Sequence, residues 1–247
     1  MLFLLRNIRH KLMEKNKITS YLLYAIGEII LVVVGILIAV QIDNANEAKK
    51  ARKLEIHYLQ NIKVDLTETI KIIDEFLAAR TAYIQSAQII VDHIEGKPIT
   101  DWKAFNEHSI NIYNWKRFYR VNTTFEELTY SGNLGLITND TIKTQLLNLE
   151  SMYKQTKAEE DHFRFDSEEI IYKPLYKYID LHMPVKMYMG EDVELSKEMY
   201  KNYFADVSVK NGFLMAILEF STMNPQLEKM KTTSLNLIET INKELKK

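Results

Sequence analysis

Cysteine is absent from the 247 residues, so no disulfide and no thiolate-bound metal can form. Glycine occurs seven times and proline four, too sparsely for the tight turns of an extended sheet protein, which leaves long helices as the expected element. An excess of one charge is missing too. With 32 basic and 33 acidic residues the formal net charge is -1, and the two signs are interleaved. The chain thus has no general field to attract nucleic acid, and no nucleic-acid partner is expected.

What the sequence has instead is one long apolar run. Residues 18–42 contain a single charge, Glu28. As a helix these 25 residues reach about 37 Å at 1.5 Å per residue, more than the ~30 Å of a bilayer's hydrocarbon core. The run IILVVVGILIAV has no polar face, unlike an amphipathic soluble helix. A cleaved secretory signal fits less well: the basic leader is long, the run exceeds a signal core, and QIDNANEA lacks an A-x-A cleavage site. An uncleaved anchor is the expectation. It divides the chain into a basic amphipathic leader, residues 1–17, lying at the inner surface; a transmembrane helix, residues 18–42; and a helical-bundle domain, residues 43–247. The leader carries Arg6, Arg9, Lys11, Lys15 and Lys17, against Lys49, Lys50, Arg52 and Lys53 after the run. A short, heavily basic tail resists translocation, so the N-terminus is expected in the cytoplasm and the bundle outside, with membrane lipids as the first partner.

Glu28 would lie about 9 Å inside the hydrocarbon, where an exposed carboxylate costs up to ~2.5–3.5 kcal/mol. At 100° per residue Ala25, Glu28, Val32, Gly35 and Ala39 share one stripe, and Gly35-x-x-x-Ala39 is a small-x-x-x-small pair that lets helix backbones approach. The stripe is expected to mediate self-association, with Glu28 hydrogen-bonded across the interface. A proton or ion path through Glu28 and a snorkelling carboxylate are the alternatives.

Beyond the span, Leu59, Ile62, Leu66, Ile70, Ile73 and Leu77 recur at three- and four-residue steps, and no breaker precedes Gly96. A helix of about 45 residues is expected to run on from the span, its stripe covered by later helices or by a second copy as a coiled coil. EGKPITD should end it, with Asp101 capping a shorter helix that contains Trp102 and Phe105. In NTTFEELTYSGNLGLITND, Thr123 and Glu126 have the spacing of a capping box, Gly132 suits a left-handed helix end, and Asn139 or Asp140 can cap the next helix. A phosphate loop is excluded there, because no Lys-Ser/Thr follows the glycines. The next helix should reach about Ile179, with Pro174 kinking or ending it. A last helix should begin at Asn224 with Pro225 in its first turn. The fold class expected is therefore all-α, a bundle with two long members.

Chemistry finds little support. The six histidines stand without H-x-x-x-H or H-E-x-x-H, and the lone E-x-x-H, Glu159 and His162, lacks the second copy a di-iron bundle needs. The surrounding AEEDH reads as a solvated acidic face. No G-x-S-x-G elbow occurs. The expectation is a protein without catalytic residues, cofactor or metal. IYNWKRFYRV mixes rings with positive charge; packing at a helix junction is the plainer reading, and a partner-contact patch of Trp115, Lys116, Arg117, Phe118, Tyr119 and Arg120 the sharper one.

YLLYAIGEIILVVVGILIAVQIDNANE together with FEELTYSGNLGLITN resembles an uncharacterised family of single-span membrane proteins from Bacteroidetes. The resemblance implies a Gram-negative inner membrane and an uncleaved anchor, and it assigns no activity or catalytic residue. Ala45 departs from the family, whose members often carry tryptophan there. Three functions are expected in order: an oligomeric inner-membrane scaffold or accessory of an envelope complex, acting through a periplasmic helical domain; a membrane-anchored sensor signalling through a partner; and a channel or proton-coupled stator using Glu28.

Overall fold

The computed structural model describes residues 18–191, 193 and 197–247, and the amphipathic leader expected at 1–17 lies outside them. All elements among the described residues are helical. Helix α1 runs without interruption from Ile18 to Ile94. The chain divides into two compact units, residues 1–56 and 57–247.

In the first unit every large apolar side chain from Leu22 to Ile42, Tyr24 apart, is exposed, including Leu31 at 75% and Leu23 at 67%. The apolar stretch of this helix is long enough to cross a bilayer. Gly27 and Gly35 face open space, so nothing among the described residues requires a glycine at either position.

The second unit is a helical bundle. Its stretch of α1 buries Leu59, Ile62, Leu66 and Ile73, with Ile70 and Leu77 half-buried, as the spacing predicts. This stripe is covered by the chain's own Leu146, Leu149, Leu227, Met230 and Leu237 rather than by a second copy. At the Gly96 turn φ is 111°, a left-handed value that favours glycine. Helix α2, Trp102–Asn111, then starts where expected, the Asp101 carboxylate accepting from the Ala104 N–H at 3.0 Å. A 3-10 turn, Ile112–Asn114, follows, and residues 115–122 have no regular secondary structure.

Helix α3, Thr123–Tyr130, corrects one expected cap. Asn122, not Thr123, occupies the cap position and its side chain makes no capping bond. The N–H of Thr124 instead donates to Asp65 on α1 at 2.8 Å, so the bundle supplies the cap from a different helix. Gly132 ends α3 at φ 72°, confirming its turn role. After the 3-10 turn Asn133–Leu136, the Asn139 side chain accepts from Thr141 and Ile142 and opens α4, Asp140–Ser167.

The kink expected at Pro174 is a π turn, Glu168–Tyr172, leading into α5, Lys173–Tyr178. Pro174 has no N–H to offer the Ile170 carbonyl four residues back, so the ladder widens before it. That carbonyl lies where Gly212 passes: a Cβ on Gly212 would stand 2.8 Å from it. Helices α6, His182–Tyr188, and α7, Lys197–Ala205, complete this end. Asp206 then caps α8, Val207–Glu244. The Ser208 hydroxyl and N–H, then the Tyr178 hydroxyl, hold the Asp206 carboxyl down at about 2.

No boundary falls at Asn224. Helix α8 runs through Pro225, because Phe220, Met223, Leu227 and Met230 form one buried stripe joining two hydrophobic clusters. Pro225 and Ser221, whose carbonyl loses its partner, are both exposed to water. The cluster nearer the Gly96 turn is rich in rings, among them Phe105, Phe163, Tyr200, Phe213 and Phe220. The Tyr113 and Tyr203 hydroxyls meet there, and burial pushes both well above the ordinary tyrosine range.

Candidate functional site

Three arrangements have chemical potential: the stripe on the apolar helix, the irregular segment 115–122, and a histidine–carboxylate cluster between α4 and α8.

Helix α1 is unbroken through Ala25, Glu28, Val32, Gly35 and Ala39, so helical geometry sets all five within an arc of about 80°. Glu28, Val32, Gly35 and Ala39 are exposed and Ala25 is half-buried. The arrangement is a smooth small-residue face carrying one carboxylate.

The segment 115–122 is a strap whose backbone finds partners in side chains instead of a sheet. The Phe118 N–H donates to Glu160 at 2.8 Å and the Phe118 carbonyl accepts from Lys157 at 3.0 Å, both partners on α4. On the other side, the Thr69 hydroxyl of α1 donates to the Val121 carbonyl at 3.0 Å and accepts from the Val121 N–H at 3.1 Å. Buried backbone groups must be paired, and these four bonds do that work for a segment with no strand neighbour. The side chains expected to meet a partner are thereby placed. Phe118 is wholly buried, and Trp115 packs its ring 4.9 Å from that of Phe163. Arg117 pairs with Asp161; Arg120 pairs with Glu150 and lies 4.4 Å over the Tyr153 ring. Lys116 and Tyr119, the latter 62% exposed, are the two members of the set on the surface. Beside the strap lies a cavity of about 20 Å³, lined by Asp65, Thr69, Arg120, Val121, Leu146 and Met230 among others, room for about one water.

Glu160 anchors the strap from below and is itself wholly buried, which corrects the solvated reading of AEEDH at that residue, while Asp161 and His162 are exposed as expected. Besides Phe118 it accepts from Arg80 at 2.7 Å and from Lys157 at 3.0 Å. Arg80 is 2% exposed, sits 5.7 Å from the centroids of both Phe76 and Phe220, and its Nε and Nη1 have no acceptor among the described residues. Burial pulls the guanidinium below its ordinary value, with Glu160 acting against it. Sequence spacing gave no hint of this pair, because its members are 80 positions apart.

His162 faces Asp166, one turn along α4, with Nε2 3.4 Å from Oδ2, and Glu219 of α8 joins them. One donor atom from each of the three lies within 4.8 Å of the others. Sequence reading missed this set because Glu219 lies more than fifty positions from its partners.

No curated protein and no solved structure matches this chain. A family of unknown function (DUF6090) matches residues 28–157. The match begins at Glu28 and ends at Lys157, the lysine bonded to Phe118 of the strap. It thus takes in most of α1, the whole strap and Asp65 and Thr69 that hold it. Covering just over half the chain, this match makes the protein a member of that family of unknown function, DUF6090.

Proposed function

We propose that the chain is a single-span protein of the bacterial inner membrane, with its N-terminus in the cytoplasm and its helical bundle in the periplasm. It self-associates through the stripe Ala25, Glu28, Val32, Gly35 and Ala39 and acts without catalysis, as a scaffold or accessory of an envelope complex. The observation that carries this reading is the unbroken helix whose large apolar side chains from Leu22 to Ile42 are exposed, Tyr24 apart, with an open small-residue face at Gly35. Lipid covers such a surface without cost, whereas a carboxylate at that depth calls for a polar partner, which a second copy of the stripe provides.

The absence of cysteine makes the test direct, since an introduced thiol is the only one in the chain. In native membranes Val32→Cys, on the stripe, should crosslink into a discrete covalent dimer, while Ile30→Cys, about 160° away around the helix, should not. Equal crosslinking at both positions, or none at either, refutes the interface. A C-terminal reporter active in the cytoplasm refutes the orientation.

A further inference from the structure

We propose that His162, Asp166 and Glu219 form a binding site for a divalent transition-metal ion of the zinc class, clamping α4 to α8. His162 and Asp166 project from the same face of α4 one turn apart, and Glu219 meets them from α8. The Nε2–Oδ2 separation of 3.4 Å between His162 and Asp166 is close to the ~3.3 Å between two ligands held about 2.0–2.1 Å from one tetrahedral ion. The Glu219 donor atom lies within 4.8 Å of both others.

Charge supports the assignment independently of distance. Five carboxylates elsewhere in the bundle meet a cation from another segment: Asp74 meets Lys231, Glu95 meets Lys210, Glu150 meets Arg120, Asp161 meets Arg117, and Glu160 meets Arg80. Between α4 and α8 two carboxylates approach one another. Among the described residues no lysine or arginine lies within ion-pair distance of Asp166 or Glu219. An imidazole and two carboxylates together neutralise a divalent ion, and a bound ion removes the repulsion between the acids. The donor set of one nitrogen and two oxygens is that of borderline ions, for which imidazole is a better ligand than it is for Mg²⁺ or Ca²⁺. His162 is 60% and Asp166 29% exposed at the side chain, so the ion can enter and keep water in its remaining positions. The ligands ride on two long helices, which fixes their spacing.

The test uses the full chain without a histidine tag, stripped of metal, in detergent micelles. Zn²⁺ is titrated calorimetrically, and Co²⁺ serves as the optical probe of coordination. The expected result is one equivalent of Zn²⁺ bound, displacement of Co²⁺ by Zn²⁺, and a melting temperature raised by the metal. His162→Ala, at an exposed position, and Glu219→Gln, at a half-buried one and of the same volume, should each weaken binding about tenfold or more and abolish the thermal gain while the metal-free protein keeps its helicity. Saturable binding that survives unchanged in both variants, a complete lack of saturable binding, or a preference for Mg²⁺ or Ca²⁺ over Zn²⁺ overturns the assignment.

Discussion

Replacing Glu160 by glutamine removes a charge at the best-buried acid of the bundle while keeping its volume. The carboxylate accepts from the Arg80 guanidinium, the Phe118 N–H and the Lys157 ammonium, at 2.7, 2.8 and 3.0 Å. A glutamine oxygen can replace one or two of those acceptances, but it cannot compensate a guanidinium that is 2% exposed and has two nitrogens without an acceptor among the described residues. Breaking a buried ion pair from one side costs about 3–5 kcal/mol, and the surviving hydrogen bond places Glu160→Gln near the lower end, about 3 kcal/mol. For a unit of this size that corresponds to a fall in Tm of roughly 6–12 °C. Removing both charges with Arg80→Met and Glu160→Gln should recover most of the loss, since the Met side chain can pack against Phe76 and Phe220 and the buried charge is gone. Thermal and denaturant unfolding of the full chain in micelles measures both variants, followed by tryptophan fluorescence, for which Trp115 beside Phe163 is a local reporter. A single-variant loss under about 1 kcal/mol, or a double variant no better than the single, refutes the view that Arg80 depends on Glu160 for its place in the core.

Gly212→Ala should destabilise the bundle by about 1–3 kcal/mol, because the new Cβ would stand 2.8 Å from the Ile170 carbonyl and 3.2 Å from Ile171 Cγ1; an unchanged Tm would show that the π turn moves aside freely. Asp206 titrates at about 2 in the folded chain, below an unfolded carboxyl near ~3.9, so its stabilisation is complete above about pH 4 and is lost as pH falls toward about 2. Asp206→Asn keeps a cap but not the titration, so the stability gap between wild type and this variant should shrink over that window; a gap independent of pH refutes the assignment.

Where local spacing carries the information, the sequence is explicit. The period of Leu59, Ile62, Leu66 and Ile73, the turn glycines 96 and 132, and the caps Asp101 and Asn139 each depend on neighbours within a turn or two, and each stands as expected. The all-α class and the apolar helix follow from composition for the same reason. Spacing misled where burial elsewhere overrode it: at Pro225 a continuous buried stripe holds the helix together across a missing hydrogen bond, and at Thr124 a carboxylate from α1 replaced the local cap. IYNWKRFYRV could be recognised as unusual but not understood, because the partners of its backbone, Thr69, Lys157 and Glu160, sit on helices before and after it.

By itself, then, the sequence determined the helices, most of their ends and the segment fit for a bilayer, since those depend on residue types a few positions apart. Only the tertiary structure decided that Glu160 is a core anion, that Phe118 is withdrawn from the surface, and that Glu219 reaches His162 and Asp166. The physical reason is that a charge or hydrogen bond acts through space, and chain position does not encode which groups packing will bring within 3 or 4 Å.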